Sequence, residues 1–246
     1  MPYKSHFIMA KNNKNKEEGV ISKSFSQWTI EDIKDIFNLT MTHEGEDMPE
    51  LLQNACEITE AEKNELNYRR KRLIDNASVW NEIELEVFFL VPVLDLLKMD
   101  LVDIVCFVEK PFGATVDNYH LSGEMDWIIA SGYGKPKSPF FCIKEFKKAK
   151  SSSNDPEGQL AAGMLAAQAL NEAYYAKNPP VYGAYIMGRE WIFAKLQGRN
   201  FTQSLPFLLT DEAMLMNMFR CLKQLKNMIL VQKSKLIEKV EMKNEK

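Results

Sequence analysis

The pattern of apolar and polar positions divides the chain into a helix, three strands, a second helix, two strands and a final helix. Residues 78–99 become apolar nearly all round, which is typical of a buried helix, and Pro92 is expected to kink or split that helix. Strand-like runs follow at 102–109, 119–130 and 139–147, separated by turns rich in Gly and Pro. This order of elements indicates an α/β fold.

The second half of the chain continues the same alternation. Asp155 is the expected N-cap of an Ala-rich helix, and a hairpin is expected to turn at Gly188-Arg189. From Asp211 onward the pattern predicts one long helix with an apolar stripe, which indicates packing on the core or on a dimer partner. The stripe consists of Met214, Met218, Cys221, Leu222, Leu225 and Ile229.

Composition divides the chain into four parts. Residues 1–25 are polar and are predicted to be a flexible arm, 26–77 a helical extension, 78–200 the core, and 201–246 the C-terminal helix. A dense basic cluster at residues 68–72 contains Arg69, Arg70 and Arg72. A solvated helix face explains this cluster, and so does contact with nucleic-acid phosphates.

Length and charge limit the classes of function. The 246 residues, 46% of them hydrophobic, suffice for one sizeable core. The formal charge of −3 argues against binding nucleic acid through bulk positive charge, so any such contact must be local. The four scattered cysteines favour free thiols in a reducing cytoplasm, and no apolar run is long enough for a membrane span. We therefore expect a cytoplasmic protein.

The stretch from His120 to Lys147 carries the candidate chemistry. Asp126 lies in one strand-like run and the triplet Glu145-Phe146-Lys147 closes the next. Residues two apart in a strand point to the same side, so Glu145 and Lys147 share a face, and Asp126 can meet them if the two runs pair. A salt bridge between Glu145 and Lys147 would also explain the triplet.

Two carboxylates and an ammonium group at one place form a metal site with a built-in cation. Carboxylate oxygens select Mg²⁺, with Mn²⁺ as a substitute. Asp126, Glu145 and the backbone carbonyl of Phe146 are the expected ligands. The ion would lower the pKa of its water, and Lys147 would orient that water or offset charge in the transition state.

Five motifs follow one another along the chain: Glu82 ten positions before Pro92 (with Glu86 as the second choice), Gly123-Glu124-Met125-Asp126, Glu145-Phe146-Lys147, Gln159 on the Ala-rich helix, and the following hairpin. In this ordered set the chain resembles the PD-(D/E)xK nuclease superfamily, and it is most similar to the nuclease domain of type I restriction-enzyme motor subunits. The resemblance runs from about Ser78 to Leu196. Met125 stands where the superfamily name has Pro, and the motor domains are absent.

The resemblance implies a restriction-endonuclease-like core, with a mixed central sheet flanked by helices, and a Mg²⁺-dependent deoxyribonuclease that acts on DNA. The implied catalytic residues are Glu82, Asp126, Glu145, Lys147 and Gln159, and Glu82 joins the expected metal ligands. Candidate phosphate contacts are Arg69, Arg70, Arg72, Lys148 and Lys150. Cutting both strands of a duplex usually takes two sites, so a homodimer through the last helix is one expected assembly. The alternative is an inactive module of the same fold that binds nucleic acid or a protein partner.

Overall fold

The computed structural model of the chain describes residues 19–43, 47–53, 55–76, 78–99, 104–144, 155–173, 175 and 177–244, with side chains described as far as residue 232. The strands are β1 (Ile21–Ser24), β2 (Thr40–Thr42), β3 (Val105–Val116), β4 (Tyr119–Ser131), β5 (Ser138–Lys144), β6 (Val181–Met187), β7 (Glu190–Gln197), β8 (Asn200–Gln203) and β9 (Phe207–Leu208). The α-helices are α1 (Ile30–Phe37), α2 (Pro49–Leu52), α3 (Glu60–Asn76), α4 (Glu82–Leu85), α5 (Val91–Asp95), α6 (Pro156–Asn171) and α7 (Glu212–Asn244).

The strands form one mixed sheet in the order β1-β4-β5-β6-β7-β8-β2, with β3 paired to β4 and β9 paired to β7. The pairs β1–β4, β5–β6 and β2–β8 are parallel, and the other pairs are antiparallel. Helices cover both faces of the sheet and enclose two hydrophobic cores. One core joins the sheet to α2, α3, α5 and α7, and the other joins it to α1 and α6. The expected α/β fold with a mixed central sheet flanked by helices is therefore confirmed.

The helical run expected at 78–99 is interrupted before Pro92. A π-helical turn at Glu86–Leu90 joins α4 to α5. Proline has no N–H and its ring crowds the preceding turn, so the regular hydrogen-bond ladder cannot pass through it. A π turn is one way in which a helix absorbs such a defect, and these turns are frequent at functional sites.

Strand β3 is longer than the sequence predicted, because it continues through Pro111 and Gly113 to Val116. The hairpin to β4 turns at Asp117 and Asn118 instead. Among the described strands β3 pairs only with β4, so its outer side is an edge. Proline is tolerated on an edge because its missing N–H breaks no ladder there.

The last residues of the predicted flexible arm, 21–25, are part of the fold. Residues Ile21–Ser24 form β1, which pairs in parallel with Tyr119–Ser122 of β4. A 3₁₀ turn at Phe25–Gln27 follows, and Phe25 is buried. Burial of this one aromatic ring fixes a segment whose local sequence is mostly polar. Residues 1–18 lie outside the described residues.

The long C-terminal helix expected from Asp211 onward is α7, and it packs on the core of its own chain. Met218, Cys221, Leu222, Leu225 and Ile229 of the predicted stripe are buried there. Met214 is 44% exposed, which corrects its place in the stripe. None of the helices in the described part of the chain is both long enough and apolar enough to cross a membrane.

Candidate active site

Strand β4 has an open stretch on one side. Strand β3 follows β4 along nearly its whole length on the other side. On the open side, β1 pairs with residues 119–122 and β5 pairs with residues 127–131. Within the described ranges, residues 123–126 have no strand partner on that side. Asp126 is the last residue of this gap and lies directly before the first residue of β4 that pairs with β5.

Lys144 pairs with Asp126 across this gap. The register of β4 and β5 pairs Trp127 with Ile143, and continuing it by one residue on each strand brings Asp126 and Lys144 opposite each other, just beyond the last ladder pair. Lys144 Nζ donates a hydrogen bond of 2.6 Å to Asp126 Oδ1, and the two side chains are only 22% and 18% exposed. The prediction that the two runs pair as neighbouring strands is confirmed. The lysine that meets Asp126 in the described residues is Lys144, which sequence reasoning had not singled out.

Glu86 approaches the same point from the helical side. Burial raises the pKa of the Glu86 carboxyl, and the nearby charge of Asp126 raises it further. Glu109 and Glu82 raise this pKa by smaller amounts, with Glu82 contributing least. Glu86, the second choice of the sequence analysis, is thus a helix carboxylate whose charge interacts with that of Asp126.

The indole of Trp127 borders the Glu86 carboxyl. Its N–H lies close enough to lower the pKa of Glu86, although less strongly than burial and Asp126 raise it. The Trp127 Nε1 atom is buried and has no partner at hydrogen-bonding geometry among the described residues. The ring therefore provides an apolar wall with one polar edge toward the carboxylate.

The β3–β4 hairpin changes its inward face beside Asp126. Leu121 and Met125 of β4 contribute to the core under α6, but two residues further on Trp127 belongs to the opposite core. Glu109 occupies the facing position on β3 and has a left-handed backbone, with φ of 47°. A non-glycine residue in this region is uncommon and marks a local irregularity. Asp126 therefore lies between a residue that packs in one core, Met125, and a residue that packs in the other, Trp127.

A cleft of about 650 Å³ lies on the open side of β4, and both Lys144 and Gln159 line it. Its other polar lining residues come from the 3₁₀ turn and the β3–β4 hairpin, and they include Ser24, Ser26, His120, Ser122 and Glu124. The Gln159 side chain is 5% exposed. Of the five predicted catalytic residues, the structure brings Gln159 to the cleft that contains the partner of Asp126.

Helix α6 is held in place by contacts at its N-terminus. Asp155 Oδ1 accepts a hydrogen bond from the backbone N–H of Gly158, as expected of an N-cap, and Oδ2 accepts one from the N–H of Ile30. A side chain at Gly158 would overlap the backbone of Thr29 and Ile30. One carboxylate therefore caps α6 and ties it to the start of α1, which fixes the position of Gln159.

The remaining predicted site residues fall into two groups. Glu145, Phe146, Lys147, Lys148 and Lys150 lie outside the described residues, which resume at Asp155. The three arginines are described, and their guanidinium groups contact other parts of the protein. Arg69 pairs with Glu65, Arg70 pairs with Glu212, and Arg72 lies over the rings of Trp80 and Phe88.

The described donors suit a hard cation in type and charge. Asp126 and Glu86 offer carboxylate oxygens, and their mutual repulsion is what a divalent ion would relieve. Within the described part of the chain, no three His, Cys, Asp or Glu side chains come close enough together to hold a metal ion. A complete ligand set therefore requires a further donor. Glu145 follows Lys144 directly in the sequence and is the donor that the sequence analysis expects.

No protein-family model matches the chain, and no curated protein is detectably similar to it.

Proposed function

We propose that the chain is a metal-dependent nuclease that hydrolyses DNA phosphodiester bonds. The observation that supports this most is the convergence of Asp126, Lys144 and Glu86 at the open edge of β4. The sequence that follows Lys144 supplies Glu145 and Lys147, which complete the set expected of a PD-(D/E)xK nuclease of restriction-endonuclease-like fold.

Each residue has a role in this proposal. Asp126 and Glu145 would hold a Mg²⁺ ion, with Glu82 or Glu86 and the carbonyl of Phe146 as further oxygen donors. The bound ion supplies an acidified water and stabilises the charge that builds on the phosphorus. Lys147 orients the attacking water, and Lys144 keeps the Asp126 carboxylate aligned. Gln159 donates to the substrate or to that water.

The apolar environment of Glu86 serves the same chemistry. Burial and the Asp126 charge raise the pKa of the Glu86 carboxyl, and a bound cation would favour its ionised form. Trp127 keeps water away from one side of the carboxyl, which strengthens the electrostatic interactions there.

A second candidate function is that of a nuclease-fold module that binds nucleic acid or a protein without cutting. The Lys144–Asp126 ion pair favours it, since an internal cation already neutralises the carboxylate that should hold the metal. The formal charge of −3 agrees with a protein that does not rely on DNA phosphates for its main contact.

A nuclease assay with and without divalent ions separates the two functions. Wild-type protein is expected to cleave DNA only with Mg²⁺ or Mn²⁺, and Lys147→Ala is expected to lose that activity. Lys137→Ala removes an exposed lysine from the β4–β5 turn and is the matched control. Equal cleavage by wild type and Lys147→Ala would contradict the proposed role of Lys147. Nucleic-acid binding without any cleavage would favour the binding module.

A further inference from the structure

A second pocket lies next to the candidate active site. It encloses about 330 Å³ and is lined by residues of β6, β7, β8 and the N-terminus of α6. Tyr185 of β6 lines this pocket and is the register partner of Lys144 on β5. Neighbouring strands lie about 5 Å apart. The pocket therefore begins one strand away from the Lys144–Asp126 pair.

The pocket is acidic. Asp155, Glu157 and Glu190 line it, together with one imidazole, that of His43. The carboxylate charges converge on the Tyr185 hydroxyl: burial raises the pKa of that hydroxyl most, and the three carboxylates raise it further in the order Glu157, Asp155, Glu190. Such a field repels phosphate and attracts hydrogen-bond donors. A ligand must therefore present N–H groups to this side.

The pocket also contains a buried donor. Gln203 lines it, its side chain is 7% exposed, and its Nε2 atom is buried with no hydrogen-bond partner among the described residues. The amide lies near enough to lower the pKa of Tyr185, but it does not reach hydrogen-bonding geometry. Buried polar groups without partners are rare, so each one needs an explanation. A ligand that places an acceptor beside Gln203 provides one.

The pocket walls between these polar groups are apolar. Met187, Ile192, Leu205 and Pro206 contribute to the lining. A flat aromatic ring fits this pocket, because its faces would contact the apolar walls while donors and an acceptor on its edge would meet the polar side chains. Enzymes that take up an unstacked base hold it between apolar side chains and read its edge through hydrogen bonds.

We propose that this pocket binds a guanine base of the substrate strand. The proposal rests on the nuclease function proposed above. Guanine presents N1–H and N2–H₂ as donors for the two carboxylate oxygens of Glu190 and O6 as an acceptor for Gln203 Nε2. Thymine has only one N–H donor. An arginine of a partner protein would pair with Glu190 and leave the Gln203 N–H groups without an acceptor.

Binding measured without cleavage tests this proposal. Fluorescence anisotropy in EDTA would compare a short thymidine oligonucleotide with the same strand carrying one central guanine, adenine or cytosine. The wild-type protein is expected to bind the guanine strand about tenfold more tightly than the thymidine strand. Glu190→Gln and Gln203→Met are expected to abolish that preference, so that each variant binds the guanine and thymidine strands equally. Glu31→Gln, an exposed replacement on α1, is the matched control.

Three results would overturn the proposal: no preference for guanine in the wild type, a preference that survives both variants, or no binding of any strand. Competition of the guanine strand by N-acetylarginine amide at lower concentration than by deoxyguanosine would assign the pocket to a cationic side chain instead. The nuclease proposal is tested separately. Mg²⁺-dependent cleavage without guanine preference removes only the pocket assignment, and guanine preference without cleavage removes only the nuclease.

Discussion

Replacing Lys144 by methionine tests how the Asp126 carboxylate is held. The variant keeps an unbranched side chain of similar length and removes the ammonium group. In the native protein the two charged atoms are 2.6 Å apart, with side-chain exposures of 22% and 18%. At an effective dielectric constant of about 20, their attraction is about 6 kcal/mol before desolvation is subtracted.

The net loss is expected to be smaller than this attraction. Removing one partner of a fully buried pair costs about 3–5 kcal/mol, whereas an exposed pair contributes about 0–1 kcal/mol. The Lys144–Asp126 pair lies between these limits, and Glu86 adds a second negative charge nearby. We therefore expect Lys144→Met to lower the free energy of unfolding by about 2 kcal/mol.

Urea denaturation measures this change, and a double-mutant cycle with Asp126→Asn isolates the pair. Lys63→Met is the matched control, because Lys63 and its partner Glu60 are 42% and 81% exposed. The control is expected to lose less than about 0.5 kcal/mol. A coupling energy near zero between Lys144 and Asp126, or equal losses in Lys144→Met and the control, would refute the reasoning.

Three further predictions concern other parts of the structure. Burial, and to a smaller extent Asp126, raise the pKa of Glu86 above its ordinary value of 4.5, so the folded state keeps this proton to a higher pH than the unfolded chain does. The free energy of unfolding of the wild type therefore falls as the pH rises from 4.5 through the raised pKa of the folded state. Glu86→Gln is therefore expected to be more stable than wild type in mildly alkaline urea titrations and equal to it below pH 4.5; a constant difference would contradict this. Gly158→Ala should lower the free energy of unfolding by about 1–3 kcal/mol through overlap with the start of α1, whereas Gly19→Ala, with open space around it, should not. Burial raises the pKa of the Cys142 thiol to about 12, so mass spectrometry should detect its alkylation only after unfolding; labelling in the native protein would contradict this.

Elements with a strong local pattern were predictable from the sequence. The turn at Gly188-Arg189 was expected, and Gly188 has the left-handed φ of 61° that such a turn favours. Asp155 was recognised as a cap because its side chain acts within its own helix. These features depend on residues a few positions apart, and so the amino-acid pattern records them directly.

Elements that depend on distant partners were not predictable in the same way. The strands β1, β2 and β8 are short and largely polar. β1 pairs with β4, β2 pairs with β8, and β8 also pairs with β7, so each is a strand because of a partner that is distant in the sequence. The second hydrogen bond of Asp155, to Ile30, spans 125 positions and leaves no local signal.

The candidate site shows both kinds of residue. Asp126 was identified because a carboxylate inside an apolar strand is costly without a partner. Lys144 could have been found from the register of β4 and β5, since it is opposite Asp126 once Trp127 is paired with Ile143. Glu82 and Glu86 are four positions apart and would lie on one face of a regular helix, so the sequence alone does not indicate which of them lies beside Asp126; that depends on how the helix packs against β4.

The most direct test of the central proposal is Mg²⁺-dependent DNA cleavage by Asp126→Asn. The matched control is Asp117→Asn, at a hairpin turn where the left-handed φ of 51° suits asparagine. The account predicts metal-dependent cleavage by wild type and by Asp117→Asn, with a loss of about a hundredfold or more in Asp126→Asn. Cleavage by Asp126→Asn at the wild-type rate, or no cleavage by a folded wild-type protein, would contradict it.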